Sequence, residues 1–304
     1  MIDLAIAGDA AFTKQVAVTL ASISATTSEE CRVFVLHDGY SDEIRDRIAS
    51  GTTDAVQLEW LYAPSFGTGA TLRPPGWVEA VVYRLRLEEL LPTDVDRVIY
   101  LDTDVVVLDS LEPAWSRGQS RDATLAVRSS RSPWICGVGG LPWKELGLAP
   151  DLPYFNSGFL VIPLDRWRSM QVGKRALELM HHVEFHLVDQ GALNTVLVGE
   201  WEKVDPRWNL TAGALDPRGS LSWFTEGVDV MTAAIAHPAV VHFSRATSLG
   251  RPWGLGCTHP FRDRWFEMLD RTSWAGWRPG PPDMRLPVRV ARRLRRAGRT
   301  LLHG

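Results

Sequence analysis

The chain opens on an apolar run, residues 2–7, that stops at Gly8-Asp9, the pattern of a buried strand meeting a loop. Apolar positions then recur at helical spacing over residues 13–25, through Val16, Leu20 and Ile23. Residues 32–36 form a second β-branched run, closed by His37-Asp38-Gly39, and residues 56–62 read as a third strand. Between these two, Ser41 followed by Asp42 and Glu43 predicts a helix start, with acids near the positive end of the helix dipole. Strand and helix alternating in this way predict a parallel sheet with helical crossovers. Further on, residues 67–75 read as a loop rich in Gly, Thr and Pro, and residues 77–91 as a helix. An apolar strand over 97–101 runs straight into Asp102-Thr103-Asp104. A strand over 159–163, helices over 165–183 and 189–198, and a late strand over 239–243 carrying His242 complete the pattern. With no internal repeat and no linker before about Pro279, this is one mixed α/β domain over residues 1–280 with a tail over 281–304.

Composition narrows the picture. The 304 residues are 45% hydrophobic and 23% charged, enough to bury a substantial core. No apolar run approaches the roughly 18 residues that a membrane span needs. The net charge of −3 hides an asymmetry, because seven arginines and no acid fall between Arg285 and Arg299. Without them the body has 26 bases against 36 acids, which disfavours a nucleic-acid partner. In the tail, Val290, Leu294, Ala297 and Leu301 form one helical stripe among those arginines, the pattern of a basic amphipathic helix on an anionic membrane surface. A solvated terminus is the plainer reading of the same residues. Three scattered cysteines and no basic, apolar leader predict a cytoplasmic location, peripheral on the inner face of the membrane if the tail binds there.

The candidate chemistry sits at the end of the 97–101 strand. Two carboxylates at i and i+2 leave an extended backbone on one side, about 6–7 Å apart, and can converge on a divalent cation. His242 could supply a third ligand, and such a set suits Mn²⁺ or Mg²⁺ better than a thiolate-seeking metal. Arg251 adds a cation able to meet phosphates bidentately. Asn156, beside Ser157-Gly158, offers an amide where the backbone can approach a ligand closely. Asp189-Gln190 opens a helix, and a plain N-cap is the bland account of Asp189.

Taken in order, Ala-Gly-Asp9, Tyr83-Arg84-Leu85, Val-Ile-Tyr-Leu-Asp102-Thr103-Asp104, Tyr154-Phe-Asn156-Ser-Gly158, Asp189-Gln190 and His242…Pro252-Trp253 resemble glycosyltransferase family 8. That family includes bacterial lipopolysaccharide galactosyl- and glucosyltransferases and glycogenin. The resemblance runs from about residue 1 to 255. It implies a GT-A fold with a Rossmann-like, mainly parallel central sheet, a nucleotide-sugar donor (UDP-hexose above all), Mn²⁺, and retention of anomeric configuration. By the same resemblance Ala7, Asp9 and Phe12 line the nucleotide, with Asp9 at the uracil end and Phe12 stacking near the base. Arg84 contacts the donor's sugar and phosphates. Asp102, Asp104 and His242 hold the metal, with Thr103 between the two carboxylates, and Gly250-Arg251 meets the diphosphate. Asn156, Asp189 and Gln190 surround the transferred hexose.

This chain departs from the family pattern in places. Ala10 follows Asp9, Gly191 follows Asp189-Gln190, and the segment from His242 to Trp253 is longer, with arginine where relatives have lysine. The expected function is a retaining, metal-dependent hexosyltransferase acting on an acceptor hydroxyl of a saccharide, lipid-linked sugar or small metabolite. The alternative is a non-catalytic nucleotide-sugar-binding protein with a degenerate site. A nucleotidyltransferase would need a glycine-rich basic loop after the first strand, and none is present.

Overall fold

A computed structural model describes residues 1–64, 79–119, 122–139, 141–216, 218–244 and 248–280. The first half alternates as β1 (Ile2–Gly8), α1 (Thr13–Thr26), β2 (Cys31–His37), α2 (Asp42–Ala49) and β3 (Val56–Tyr62). A 3-10 segment, Glu79–Arg86, leads through α3 (Leu87–Leu90) to β4 (Arg97–Leu101) and β5 (Val105–Val107). Then come α4 (Glu112–Gln119), β6 (Thr124–Arg128) and β7 (Phe155–Pro163). Three helices follow, α5 (Leu164–Met170), α6 (Val172–His182) and α7 (Val188–Val196), then β8 (Trp201–Lys203) and β9 (Leu210–Thr211). Last are α8 (Ser222–Thr225), α9 (Val228–Ala236), β10 (Val240–His242) and α10 (Arg262–Leu269).

Seven strands form one sheet in the order β3-β2-β1-β4-β7-β6-β8, with β7 antiparallel to both neighbours and every other pair parallel. A small second sheet, β5-β10-β9, lies beyond the end of β4. Side chains that alternate along a strand bury on opposite faces. Ile2, Leu4 and Ile6 of β1 join one core with α1, the small sheet and α10, while Ala5 and Ala7 join the other with α5–α7. Burial on both faces explains why β1 and β2 read as nearly unbroken apolar runs. The edge strand β3, mostly half-exposed, alternates more visibly.

The mainly parallel sheet flanked by helices is as expected, and several boundaries are not. The helix expected over 165–183 is two helices, broken at Gln171, whose φ of 53° is left-handed. The described part of the helix expected over 77–91 is mostly 3-10. The strand expected from 159 begins at Phe155, which places Asn156-Ser157-Gly158 inside β7 rather than before it. The loop over 67–75 and the basic tail over 281–304 lie outside the described residues. Among the described residues no helix is long and apolar enough to cross a membrane.

Candidate active site

Because β1 and β4 pair in parallel with Ile6 beside Leu101, Ala7-Gly8-Asp9 and Asp102 leave the sheet side by side. This is the carboxyl edge, where open α/β sheets bind ligands. The chain then enters β5, whose antiparallel pairing with β10 sets Val105 opposite His242, and the Phe243 N–H donates to the Asp104 carbonyl at 2.9 Å. Two residues distant by some 140 positions thus converge. His242 Nε2 lies 3.0 Å from Asp104 Oδ1 and 3.8 Å from Asp102 Oδ2. One ligand atom each from Asp102, Asp104 and His242 falls within 4.8 Å of the others, the one such group found among the described residues. Thr103 turns into the body, 8% exposed, with its carbonyl accepting from Thr19 Oγ1 at 3.1 Å.

The donor set fits a hard divalent cation such as Mn²⁺ or Mg²⁺: two carboxylate oxygens and one imidazole nitrogen, close enough to converge and without thiolate. Close packing shapes it, since a Cβ at Gly158 would strike the His242 ring. Burial works against the Asp104 charge, yet His242 and then Arg251 overcome it and hold the carboxyl down to about 2. Burial likewise opposes protonation of His242, and Asp104 outweighs it, raising the imidazole above its usual range. Positive charge is therefore favoured at this point, whether on the imidazole or on a bound cation.

Arg84 organises the floor of the site. It is 4% exposed, and its Nη2 donates to Asp102 Oδ1 at 2.7 Å while Nη1 donates to the Ser157 carbonyl at 2.6 Å. Its Nε lies 2.8 Å from Asp189 Oδ2, and the guanidinium sits 4.7 Å over the Tyr100 ring. Tyr100 Oη also donates to Asp102 Oδ1, at 3.2 Å. Asp189 is 3% exposed and lies in the first turn of α7, whose N-cap residue is Leu187, without a side-chain bond. Burial pushes the Asp189 carboxyl up to about 6, against the pull of Arg84.

Beside this lies an amide cluster. Asn156 Nδ2 donates to Gln190 Oε1 at 3.0 Å, and Gln190 Nε2 donates to Tyr154 Oη at 3.2 Å. Gly191 leaves no space for a side chain, because a Cβ there would lie 2.6 Å from the Phe185 ring. Two asparagines that the sequence motifs do not flag complete the arrangement. Asn194 accepts from the Phe155 N–H at 2.8 Å and donates to the Phe155 carbonyl at 3.0 Å, tying α7 to the start of β7. Asn209 Nδ2 donates to Asn156 Oδ1 at 2.7 Å, and Asn209 Oδ1 is 2.9 Å from His242 Nδ1. Both are nearly fully buried polar side chains, and that is the signal, invisible in sequence, that marks them.

Arg251, half-buried, reaches the site. Its Nε donates to the Phe243 carbonyl at 3.3 Å, Nη2 lies 3.5 Å from Asp104 Oδ2, and the guanidinium is 5.4 Å over Trp253. Gly250, with a left-handed φ of 72°, and Arg251 lie in a loop whose ends are joined by the Thr258 N–H donating to the Leu249 carbonyl at 2.8 Å. At the far end, Asp9 Oδ1 accepts from the Ala11 N–H at 2.9 Å and the Asp9 carbonyl accepts from Tyr40 Oη at 2.9 Å. Phe12, half-buried, is the N-cap residue of α1. The structure therefore brings Arg84, Asp102, Asp104, Asn156, Asp189, Gln190, His242 and Arg251 into one network, with Ala7, Asp9 and Phe12 along the same sheet edge.

Known proteins share this arrangement of chain. The sequence is 25% identical over 251 residues to General stress protein A of Bacillus subtilis, covering 81% of this chain and 84% of that one. It is 24% identical over 271 residues to lipopolysaccharide 1,3-galactosyltransferase of Salmonella typhimurium, covering 85% and 74%. Among solved structures, galactosyltransferase LgtC in complex with donor and acceptor sugar analogs superposes with a TM-score of 0.72 at 23% identity, over 93% of this chain and 98% of that one. The likeness is one of fold, and the fold is GT-A. The sequence model of Glycosyl transferase family 8 matches residues 3–254. A family match across most of the length, on a GT-A sheet whose carboxyl edge gathers the acidic and basic residues above, makes this chain a glycosyltransferase belonging to family 8.

Proposed function

We propose that the chain is a retaining, metal-dependent hexosyltransferase that takes its sugar from a nucleotide sugar, UDP-hexose being the best reading. The observation that carries this is the Asp102–Asp104–His242 group at the carboxyl sheet edge, bordered by Arg84 and Arg251. Asp102, Asp104 and His242 would hold Mn²⁺ or Mg²⁺. Such an ion, when bound, supplies positive charge against the diphosphate as its bond to the sugar breaks.

The chain's own residues supply the rest. Arg251, half-buried over Trp253, adds a second fixed charge where negative charge develops. Ala7, Asp9 and Phe12 would line the nucleoside along the sheet edge. Asn156 and Gln190 would meet the hydroxyls of the hexose, their amides already aligned by the Ser157 and Gly158 N–H groups. Asp189 is enclosed behind Arg84, which supports a front-face displacement over attack by this carboxylate. In that step the bond from the anomeric carbon to the diphosphate oxygen breaks and the bond to the acceptor oxygen forms on the same face. The acceptor's proton passes to a diphosphate oxygen. Asp189, charged above about pH 6, keeps Arg84 in place and offsets positive charge on the sugar ring.

Two tests follow from these roles. A donor screen by mass spectrometry identifies the hexose. With that donor, Arg251→Ala lowers kcat by more than it weakens UDP binding measured by calorimetry, because its charge acts most on the departing diphosphate. Equal losses in both place Arg251 in ground-state binding alone. Proton NMR of the product shows the donor's anomeric configuration. A β-linkage from an α-linked donor ends the retaining mechanism.

A further inference from the structure

Donor and acceptor roles can be traced through the amide cluster from groups whose role is fixed. Backbone N–H groups only donate. The Gly158 N–H points to Asn156 Oδ1 at 3.0 Å, and the Ser157 N–H to Gln190 Oε1 at 3.1 Å. Asn156 Oδ1 is thereby an acceptor, so the Asn209 atom 2.7 Å from it is the donor Nδ2. Asn209 Oδ1 is then the atom facing His242 Nδ1 at 2.9 Å, and Nδ1 must carry a proton. The other ring nitrogen, Nε2, is the one aimed at Asp104 and Asp102. A metal ligand needs a lone pair there, and the neutral tautomer with Nδ1–H provides one.

We infer that Asn209 is a positioning residue that fixes the ring orientation and tautomer of His242 and couples the metal end of the site to the Asn156–Gln190 end. The inference rests on the reading of Asp102, Asp104 and His242 as a metal site. Asn209 is well placed for this work. It is 3% exposed and ends the 3-10 turn Pro206–Asn209. The strand that follows it, β9, pairs with β10 so that Thr211 lies beside His242. Its two amide atoms serve different partners, one in each half of the site, which no side chain with a single polar atom can match.

That two-sidedness gives the test. Mn²⁺ affinity is measured by paramagnetic resonance in the presence of UDP, and UDP-hexose hydrolysis is followed separately, for the parent protein and four variants. Asn209→Leu removes both contacts and weakens Mn²⁺ by about 10–100-fold, the usual effect of losing an outer-shell partner. Asn209→Asp keeps an acceptor for Nδ1–H but sets an oxygen against Asn156 Oδ1. It retains Mn²⁺ affinity close to the parent's while hydrolysis falls about tenfold or more. His242→Ala and Asp104→Ala report on the metal site itself. If they weaken Mn²⁺ and Asn209→Leu does not, the positioning role is overturned and the metal site stands. If neither weakens it, the metal reading fails and the inference fails with it. Should Asn209→Leu not fold, Asn209→Asp decides: loss of both readouts, or of neither, contradicts the coupling.

Discussion

Asp104→Ala lowers turnover of the nucleotide sugar by at least about 10²–10³, the scale of losing a major preorganised electrostatic stabiliser. The size follows from what meets at this one side chain. It lies 3.0 Å from His242 Nε2 and 3.5 Å from Arg251 Nη2, and its own backbone carbonyl holds Phe243. Truncation removes one of the three groups that would hold the metal and leaves Arg251 without its carboxylate partner. The backbone bond to Phe243 survives, so the fold should persist, and circular dichroism checks that it does. Asp104→Asn separates charge from shape: it keeps an oxygen at the site but not the carboxylate, and should fall nearly as far. Turnover within tenfold of the parent in either variant would remove Asp104 from the chemistry.

Arg84→Met is expected to cost about 3–5 kcal/mol of stability, the range for stripping the partner from a buried charge. Two carboxylates depend on this guanidinium, and the side chains of Arg84 and Asp189 are only 5% and 4% exposed. For a chain of this size such a loss lowers Tm by roughly 5–8 °C. Adding Asp189→Asn to Arg84→Met removes one stranded charge and should recover part of the loss, a non-additivity expected of residues in contact. Calorimetry of the two single variants and the double variant settles it. An Arg84→Met protein that melts with the parent would mean that solvent, not Arg84, compensates these carboxylates.

Much of this fold was legible in the chain because β1, α1, β2, α2, β3 and β4 each bury a continuous or periodic apolar face against the same sheet. The pattern missed β6, α4, α9 and α10, and it missed short elements whose existence depends on distant partners. β5, β8 and β9 are two or three residues long, and only pairing with β10 or β6 makes them strands. The break at Gln171 is likewise local geometry without a periodicity signal. The candidate site divides the same way. Asp102 and Asp104 announce themselves by following an apolar strand, whereas the 105-residue separation between Arg84 and Asp189 hides their ion pair. A helix cap is the bland account of Asp189, since acids at helix starts commonly are caps, but the structure pairs it with Arg84 in the interior. Asn194 and Asn209 have no motif at all. Their roles come from buried backbone and ring groups that need partners, which tertiary structure alone brings together.

Asp102, Asp104 and His242 are proposed to make this chain a metal-dependent user of nucleotide sugars. This role is tested most directly by following UDP release and sugar transfer from UDP-hexose with Mn²⁺, then with excess chelator, then with Mn²⁺ restored. Turnover is expected to appear with Mn²⁺, stop with the chelator and return with the metal, more fully than with Ca²⁺. Undiminished turnover in excess chelator would contradict the metal assignment, and Mn²⁺-dependent UDP binding without any sugar release would contradict the transferase and leave a nucleotide-binding protein.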